Sequence, residues 1–388
     1  VFPFTKFSRK KPEETAEEIG KFIQSQWGSV EDFNVIKGFL NLSFNDDYWR
    51  EFLEHTSGKK NFGILPETQK VVVLEYCGPN TNKPLHLGHI RNMVIGFSMA
   101  EILAAAGHEV HKVNIYNDRG IAISKSMLAW QKWGNGETPE TSGHKGDHVV
   151  GKYYVLFDKE YQKQITELVG EGMEKEAAKK EAPILKEAQE LLRKWEAGDK
   201  ETIDLWKMMN SWVYAGFEET FQKMGVDFEK HYHESETYML GKELVQEGLK
   251  KGVFYRKEDD SVWVNLEEFG LDEKVLLRSD GTSVYLTQDL GTAQARYEDF
   301  QMNESIYVVA DEQDYHFKAL KFTLKKLGKP FADGINHLSY GMVDLPTGKM
   351  KSREGTTVDA DDLVREMEAT AEENSKELGK IEDLPQNE

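Results

Sequence analysis

Cysteine is almost absent from this 388-residue chain, with Cys77 the single one. One thiol excludes an internal disulfide and any multi-cysteine zinc centre, and it points to a reducing, cytoplasmic setting. Long apolar runs are also missing: none approaches the roughly 20 residues that span a bilayer, and no signal-peptide pattern opens the chain. Positive charge is in deficit. With 49 Lys and Arg against 68 Asp and Glu, the net charge is −19, which excludes a protein that coats itself in nucleic acid. A nucleic-acid partner held on a local basic strip remains compatible. The Lys6–Lys11 cluster, Lys37, Lys59 and Lys60 are candidates for one, although any single lysine reads first as a solvated surface residue.

What is present is ordinary for a globular protein: 39% hydrophobic, 11% aromatic and 30% charged, enough for two or three domains. No internal repeat or low-complexity tract appears. Residues 1–57 read as a small α/β module. Pro12 and Glu13 open a helix ending near Gly28, Phe33–Ile36 and Phe39–Phe44 alternate about a Lys37-Gly38 turn, and Asp46–His55 is a short helix. Thr56–Lys70 is a linker. From there the pattern becomes strand, helix, strand: Val71–Tyr76, Asn92–Ala106 and His108–Tyr116. This predicts the start of a doubly wound parallel sheet. Charged amphipathic helices interrupt it over about 130–255. Two apolar stripes there, Ile184–Trp195 and Met208–Met224, read as core. A β-rich patch follows at Val253–Leu266 and Val275–Tyr285. The sheet then resumes with Ser305–Ala310, a helix at Phe317–Leu327, and His337–Val343, before a last helix at Ala360–Leu378. The expected fold class is therefore α/β, a Rossmann-type parallel sheet with a helical insertion and a small, truncated N-terminal α/β domain. The chain starts at Val1 in an apparent mid-strand and stops at Glu388 after an acidic helix, so a piece of a longer protein is expected.

The chemistry concentrates in VVVLEYCGPNTNKPLHLGHIR at 71–91. A buried strand, a tight loop, His86-Leu87-Gly88-His89 and a helix form a phosphate-handling layout. A helix N-terminus offers unpaired N–H groups and partial positive charge. Each imidazole adds a donor without full charge, and Gly88 lets backbone approach a nucleotide closely. This pattern implies nucleotidyl transfer. About 260 residues downstream, LPTGKMKSREGTT at 345–357 carries Lys349, Lys351 and Arg353 among small residues. Alone it reads equally as a solvated basic loop or as a cationic arm for pyrophosphate; paired with His86 and His89, the second reading is preferred. His144/His148 and His231/His233 lack a third ligand nearby in sequence and read as surface or structural residues.

HLGH at 86–89 with GKMKSR at 348–353 resembles the HIGH and KMSKS signatures of class I aminoacyl-tRNA synthetases. The stretches LEYCGPNTNKPLHLGHIRN, VNIYNDRGIAISKSMLAWQKWG, LLRSDGTSVYLTQDLGTA, DEQDYHFKALKFTLKKLG and HLSYGMVDLPTGKMKSREGT narrow the resemblance to arginyl-tRNA synthetases of bacterial type. It runs through nearly the whole chain. It implies that residues 1–57 are the second half of an N-terminal domain contacting tRNA. It also implies that 58–388 are the catalytic domain and that a C-terminal anticodon-reading domain is missing.

The resemblance also implies ATP-dependent activation of L-arginine to arginyl-adenylate, then transfer to tRNA(Arg), with Mg2+ accompanying ATP and no protein-caged metal. The expected arginine ligands are Glu75, Asn80, Tyr285, Asp289 and Gln313, with Asp289 on the guanidinium. Expected ATP contacts are Pro79, His86, Gly88, His89 and Met350; expected catalytic groups are His86, His89, Lys83, Lys349, Lys351 and Arg353. The chain departs from the pattern at one point: Ser352 stands where KMSKS has its second lysine. Lys83, three residues before His86, is the preferred replacement. A monomer without membrane association is expected. Two rivals are a small nucleotidylyltransferase, which lacks the SVYLTQD and EQDYH stretches, and a non-catalytic binding module.

Overall fold

Pro12 at the first helical turn and Glu13 and Glu14 behind it start helix α1 (Pro12–Gln26). Strands β1 (Val30–Ile36) and β2 (Phe39–Phe44) pair antiparallel through a two-residue turn. Lys37 and Gly38 both have positive φ there, the twist a tight hairpin requires. Helix α2 (Asp46–Ser57) is capped by Asn45, whose Oδ1 accepts the Tyr48 N–H at 3.0 Å. β1 begins three residues earlier than the alternation suggested. The computed structural model describes residues 1–343 and 358–377, and the chain divides into two units between Leu65 and Pro66.

The second unit is built on five parallel strands: β3 (Val71–Glu75), β4 (Glu109–Tyr116), β5 (Lys230–His233), β9 (Glu304–Ala310) and β10 (Ile335–Tyr340). Their spatial order is β10-β9-β3-β4-β5. Strands run outward from β3 in both directions, so the order reverses between β3 and β9. Ligands bind outside the carboxyl ends of strands at such a switch point. Val72, Val73 and Leu74 are all fully buried, as expected of a central strand covered on both faces. Leu74 faces one core with Met93, Phe157 and Phe217, and Val73 faces the other with Leu290 and Leu320.

The first core is covered by α3 (Leu87–Ala105), α4 (Ile121–Trp133), α5 (Gly146–Gly170), α6 (Pro183–Glu196) and α7 (Lys200–Met224). The stripes in α6 and α7 are core, with Ile184, Ala188, Val213 and Phe217 buried. The second core is covered by α8 (Glu234–Lys250), α9 (Tyr285–Phe300) and α10 (Asp314–Lys326). It also takes in the antiparallel β6 (Tyr255–Arg256), β7 (Val262–Val264) and β8 (Lys274–Leu277). Helix α11 (Ala360–Glu377) ends the described residues.

Three expectations need correction. Helix α3 starts at Leu87, five residues before the periodic pattern, because His86 and His89 cap it themselves. The stretch 130–255 is not wholly an insertion: β5 within it is an edge strand of the parallel sheet. Its four residues, Lys-His-Tyr-His, are too few and too polar to register as a strand. Finally, Tyr285 does not close a strand but opens α9. Among the described residues no helix is long and apolar enough to cross a membrane.

Candidate active site

Two adjoining cavities open beyond the strand ends. One, of about 470 Å3, is lined by Glu75, Lys83, His86, Gly88 and His89 together with Asn92, Val308 and Tyr340. The other, of about 830 Å3, is lined by Asn80, Arg119, Glu234, Tyr285 and Gln288 among others. Lys83 and Asn117 line both.

His86 sits in extended backbone at the N-cap of α3. Its Nδ1 accepts the Gly88 N–H at 3.2 Å, and its own N–H donates to His89 Nδ1 at 3.1 Å. Both Nδ1 atoms are therefore acceptors, so the proton of each neutral ring is assigned to Nε2. Burial, and then the Lys83 ammonium, holds the His86 imidazole down to about 4. His89 is pushed well below the usual histidine range by burial, His86 and Lys83. The rings lie 3.9 Å apart between centroids, so two neutral Nε2–H donors stand together at a helix N-terminus. Such an arrangement suits an anion without contributing a full positive charge of its own.

The segment that follows residues 345–357 returns to this turn. The Leu87 N–H donates to the Val358 carbonyl and the Ala360 N–H to the Leu85 carbonyl, both at 3.0 Å. Asp361 is then clasped by Lys145, by Thr220 at 3.0 Å and by His148 at 3.3 Å. The Lys145 ammonium supplies positive charge to Asp361 and, at 3.4 Å, to Asp147, so the cluster reads as an ion-pair clasp. Lys349, Met350, Lys351 and Arg353 lie outside the described residues.

The expected amino-acid ligands fall in four places, and Asp289 and Gln313 line neither cavity. Asn80 and Tyr285 line the larger cavity, Tyr285 on the exposed first turn of α9. Asp289, one turn on, is hydrogen-bonded to His316 Nε2. Gln313 closes the short turn Asp311–Gln313 before α10 and lines neither cavity, and the Pro79 carbonyl accepts the Asn117 N–H at 3.0 Å. Glu75 lines the smaller cavity but is already ion-paired with Arg296 of α9. Burial drives its carboxyl up against the pull of that guanidinium, with Asp289 pushing the same way.

Several site residues carried no sequence signal. Arg296 is a fully buried cation inside a helix. Glu234 starts α8, and burial raises its carboxyl to about 7 against the pull of Arg119. Asn92 is three residues past His89 and looks like any polar helix position.

The family profile for tRNA synthetases class I (R), catalytic domain, matches residues 54–387. The chain belongs to this family. It is 58% identical to an arginine–tRNA ligase of Bacteroides thetaiotaomicron and 56% identical to one of Parabacteroides distasonis. These alignments cover 100% and 99% of the chain and 65% of each relative, so the chain spans just under two thirds of the curated relatives it matches. The solved arginyl-tRNA synthetase of Thermus thermophilus shares its fold, with a TM-score of 0.70 at 22% identity, over 99% of this chain and 66% of that one. HLGH lies between β3 and α3, beside the point where the sheet order reverses.

Proposed function

We propose that this chain is the catalytic portion of an arginine–tRNA ligase, activating L-arginine with ATP and passing it to the 3′ end of tRNA(Arg). The observation that carries the reading is the pair of neutral donors, His86 and His89, over a cavity that adjoins a second one lined by Asn80 and Tyr285. The arginine carboxylate attacks the α-phosphorus of ATP in line, forming a mixed anhydride and releasing pyrophosphate. A 2′- or 3′-hydroxyl of the terminal adenosine then takes the acyl group, and AMP leaves. Charge builds on phosphoryl oxygens in the first step, and fixed donors that need no reorganisation stabilise it. Mg2+ arrives with ATP as a substrate ion.

A guanidinium is planar and permanently charged, so carboxylates with neutral acceptors beside them suit it. Asp289 is assigned that contact, with Tyr285 alongside; Glu75, Asn80 and Gln313 complete the proposed ligand set. Pro79, Gly88 and Met350 are assigned to ATP. Lys83 and the Lys349, Lys351 and Arg353 arm are assigned to the phosphates. The N-terminal unit is proposed to touch tRNA through Lys6, Lys11, Lys37, Lys59 and Lys60; Lys10 is ion-paired with Glu18. The proposed setting is a cytoplasmic monomer, with the unpaired thiol of Cys77 buried.

Calorimetric titration with L-arginine, L-lysine and L-glutamine, with and without a non-hydrolysable ATP analogue, tests the reading. Arginine-selective binding that weakens about tenfold or more in Asp289→Asn is expected, the scale for removing one charged hydrogen-bond partner. Nucleotide binding with no amino-acid selectivity would return the nucleotidylyltransferase reading.

A further inference from the structure

Arg296 is the largest fully buried side chain of the described residues. Its Nη2 donates to Glu75 Oε2, while Nε and Nη1 have no hydrogen-bond partner. The guanidinium carbon lies 5.2 Å from the ring centres of both Tyr232 and Tyr307. Such a group is costly. A buried cation pays heavily in desolvation, and replacing a buried ion pair by apolar groups of similar size is often neutral or stabilising. Stability alone therefore gives little reason to keep it, whereas the location gives one. Glu75 ends β3 on the cavity wall, and Asp289 lies on the same helix as Arg296, two turns earlier.

We propose that Arg296 is a positioning residue for the amino-acid pocket: with Tyr232 and Tyr307 beside it, its guanidinium fixes the Glu75 carboxyl group in the cavity wall and favours its charged form, ready for a cationic side chain. The inference rests on the reading that the pocket takes arginine. The charged and titratable groups around Glu75 are Arg296 and Asp289 from α9, the latter bonded to His316 of α10, Tyr307 from β9, and Lys83, His86 and His89, which line the same cavity. Two carboxylates placed near one another resist joint ionisation. Arg296 offsets that repulsion while the pocket is empty. Arg296 is paired with Glu75 and His316 with Asp289, so each carboxyl group is held by a basic partner before a ligand guanidinium enters.

The test is the affinity for L-arginine across about pH 5.5 to 8.5, a range chosen to span the region into which loss of a nearby cation can move a buried carboxyl. It is measured for the wild-type chain, Arg296→Met and Arg296→Lys, with a non-hydrolysable ATP analogue as a second ligand and thermal unfolding as a fold check. Arg296→Met is expected to bind arginine about tenfold or more weakly near neutrality and to recover as pH rises, its acid limb displaced upward by about one pH unit or more. Nucleotide affinity should hold. Arg296→Lys keeps the charge, so it should keep a near-wild-type pH profile; should the Met variant not fold, Arg296→Lys and Glu75→Gln decide the matter. A folded Arg296→Met with wild-type affinity and profile would overturn the inference. So would Glu75→Gln binding arginine as the wild type does. Absence of arginine binding by the wild type would instead overturn the parent reading, and this inference with it.

Discussion

Replacing His86 by Ala removes two things at once, and the structure allows them to be separated. The first is a helix cap: Nδ1 accepts the Gly88 N–H at 3.2 Å. Losing an N-cap costs about 1 kcal/mol, a fall of about 1–3 °C in the unfolding midpoint for a domain of this size. The second is the Nε2–H donor, whose position at the helix start suits developing charge on a phosphoryl oxygen. Loss of one such donor slows the chemical step about 10²–10³-fold, or about 2.7–4 kcal/mol of barrier. His86→Asn separates the effects, because asparagine is an excellent cap but does not reproduce the imidazole's reach. The Ala variant should lose both stability and rate, the Asn variant rate alone, and neither should change arginine affinity. ATP–pyrophosphate exchange with tRNA(Arg) present, thermal unfolding and arginine titration measure the three quantities. A His86→Asn protein as fast as wild type would refute the assignment, and an Ala variant of unchanged rate would refute it more directly.

Further outcomes follow from the same geometry. The His86 imidazole is held at about 4 in the folded chain, below its ordinary value of 6.5. As pH falls from about 6.5 to about 4, the unfolded chain therefore takes up a proton there that the folded one refuses. Its contribution to stability is lost over that window at up to about 1.4 kcal/mol per pH unit; the stability gap between wild type and His86→Asn should shift accordingly, and a constant gap would contradict it. Lys83 lines both cavities, so Lys83→Ala should cut adenylate formation by about 10², whereas intact activation in Lys83→Ala alongside its abolition in Lys351→Ala would move the role to the 345–357 arm. Gly96 packs α3 on Tyr76, and a Cβ there would lie 2.3 Å from the Tyr76 ring. Gly96→Ala should destabilise by about 1–3 kcal/mol in urea despite the better helix former, and an equal or higher midpoint would show that Tyr76 yields freely.

The sheet was legible because its central strand is an uninterrupted apolar run and because loop and helix follow at the spacing of a parallel unit. His86 and His89 were legible for a chemical reason: two imidazoles flanking a glycine at a strand-to-helix turn have few structural uses. What escaped were features that exist only after folding. The β5 strand is too short and polar to carry a period. The Tyr285–Asp289 spacing fitted a helix or a strand end, and only packing on α8 and α10 makes it the first turn of α9. Glu75 was legible as a carboxylate at a strand end, but its partner is 221 residues away. No local pattern encodes such a pairing.

Asn92 shows how the fold and the site become one object. Its Oδ1 accepts the Cys77 N–H at 2.6 Å, and its Nδ2 donates to the Val308 carbonyl at 2.6 Å and to the Tyr340 hydroxyl at 2.8 Å. Those three partners stand in the carboxyl-terminal parts of β9 and β10 and just past β3, with β3 and β9 flanking the point where the sheet order reverses. Cys77 has a φ of 57°, so the chain leaves β3 in a left-handed turn and aims its N–H at the amide. Asn92 lies three residues after His89, one turn along the helix that both histidines cap. A buried amide left unpaired costs about 1–3 kcal/mol, which ties the helix axis to the strand ends. Catalytic donors lose their effect with displacements of about 1 Å. A parallel sheet alone fixes the strand ends, and a capped helix alone fixes the two imidazoles relative to each other. The Asn92 amide fixes one to the other, so the donors stand at a defined place above the switch point.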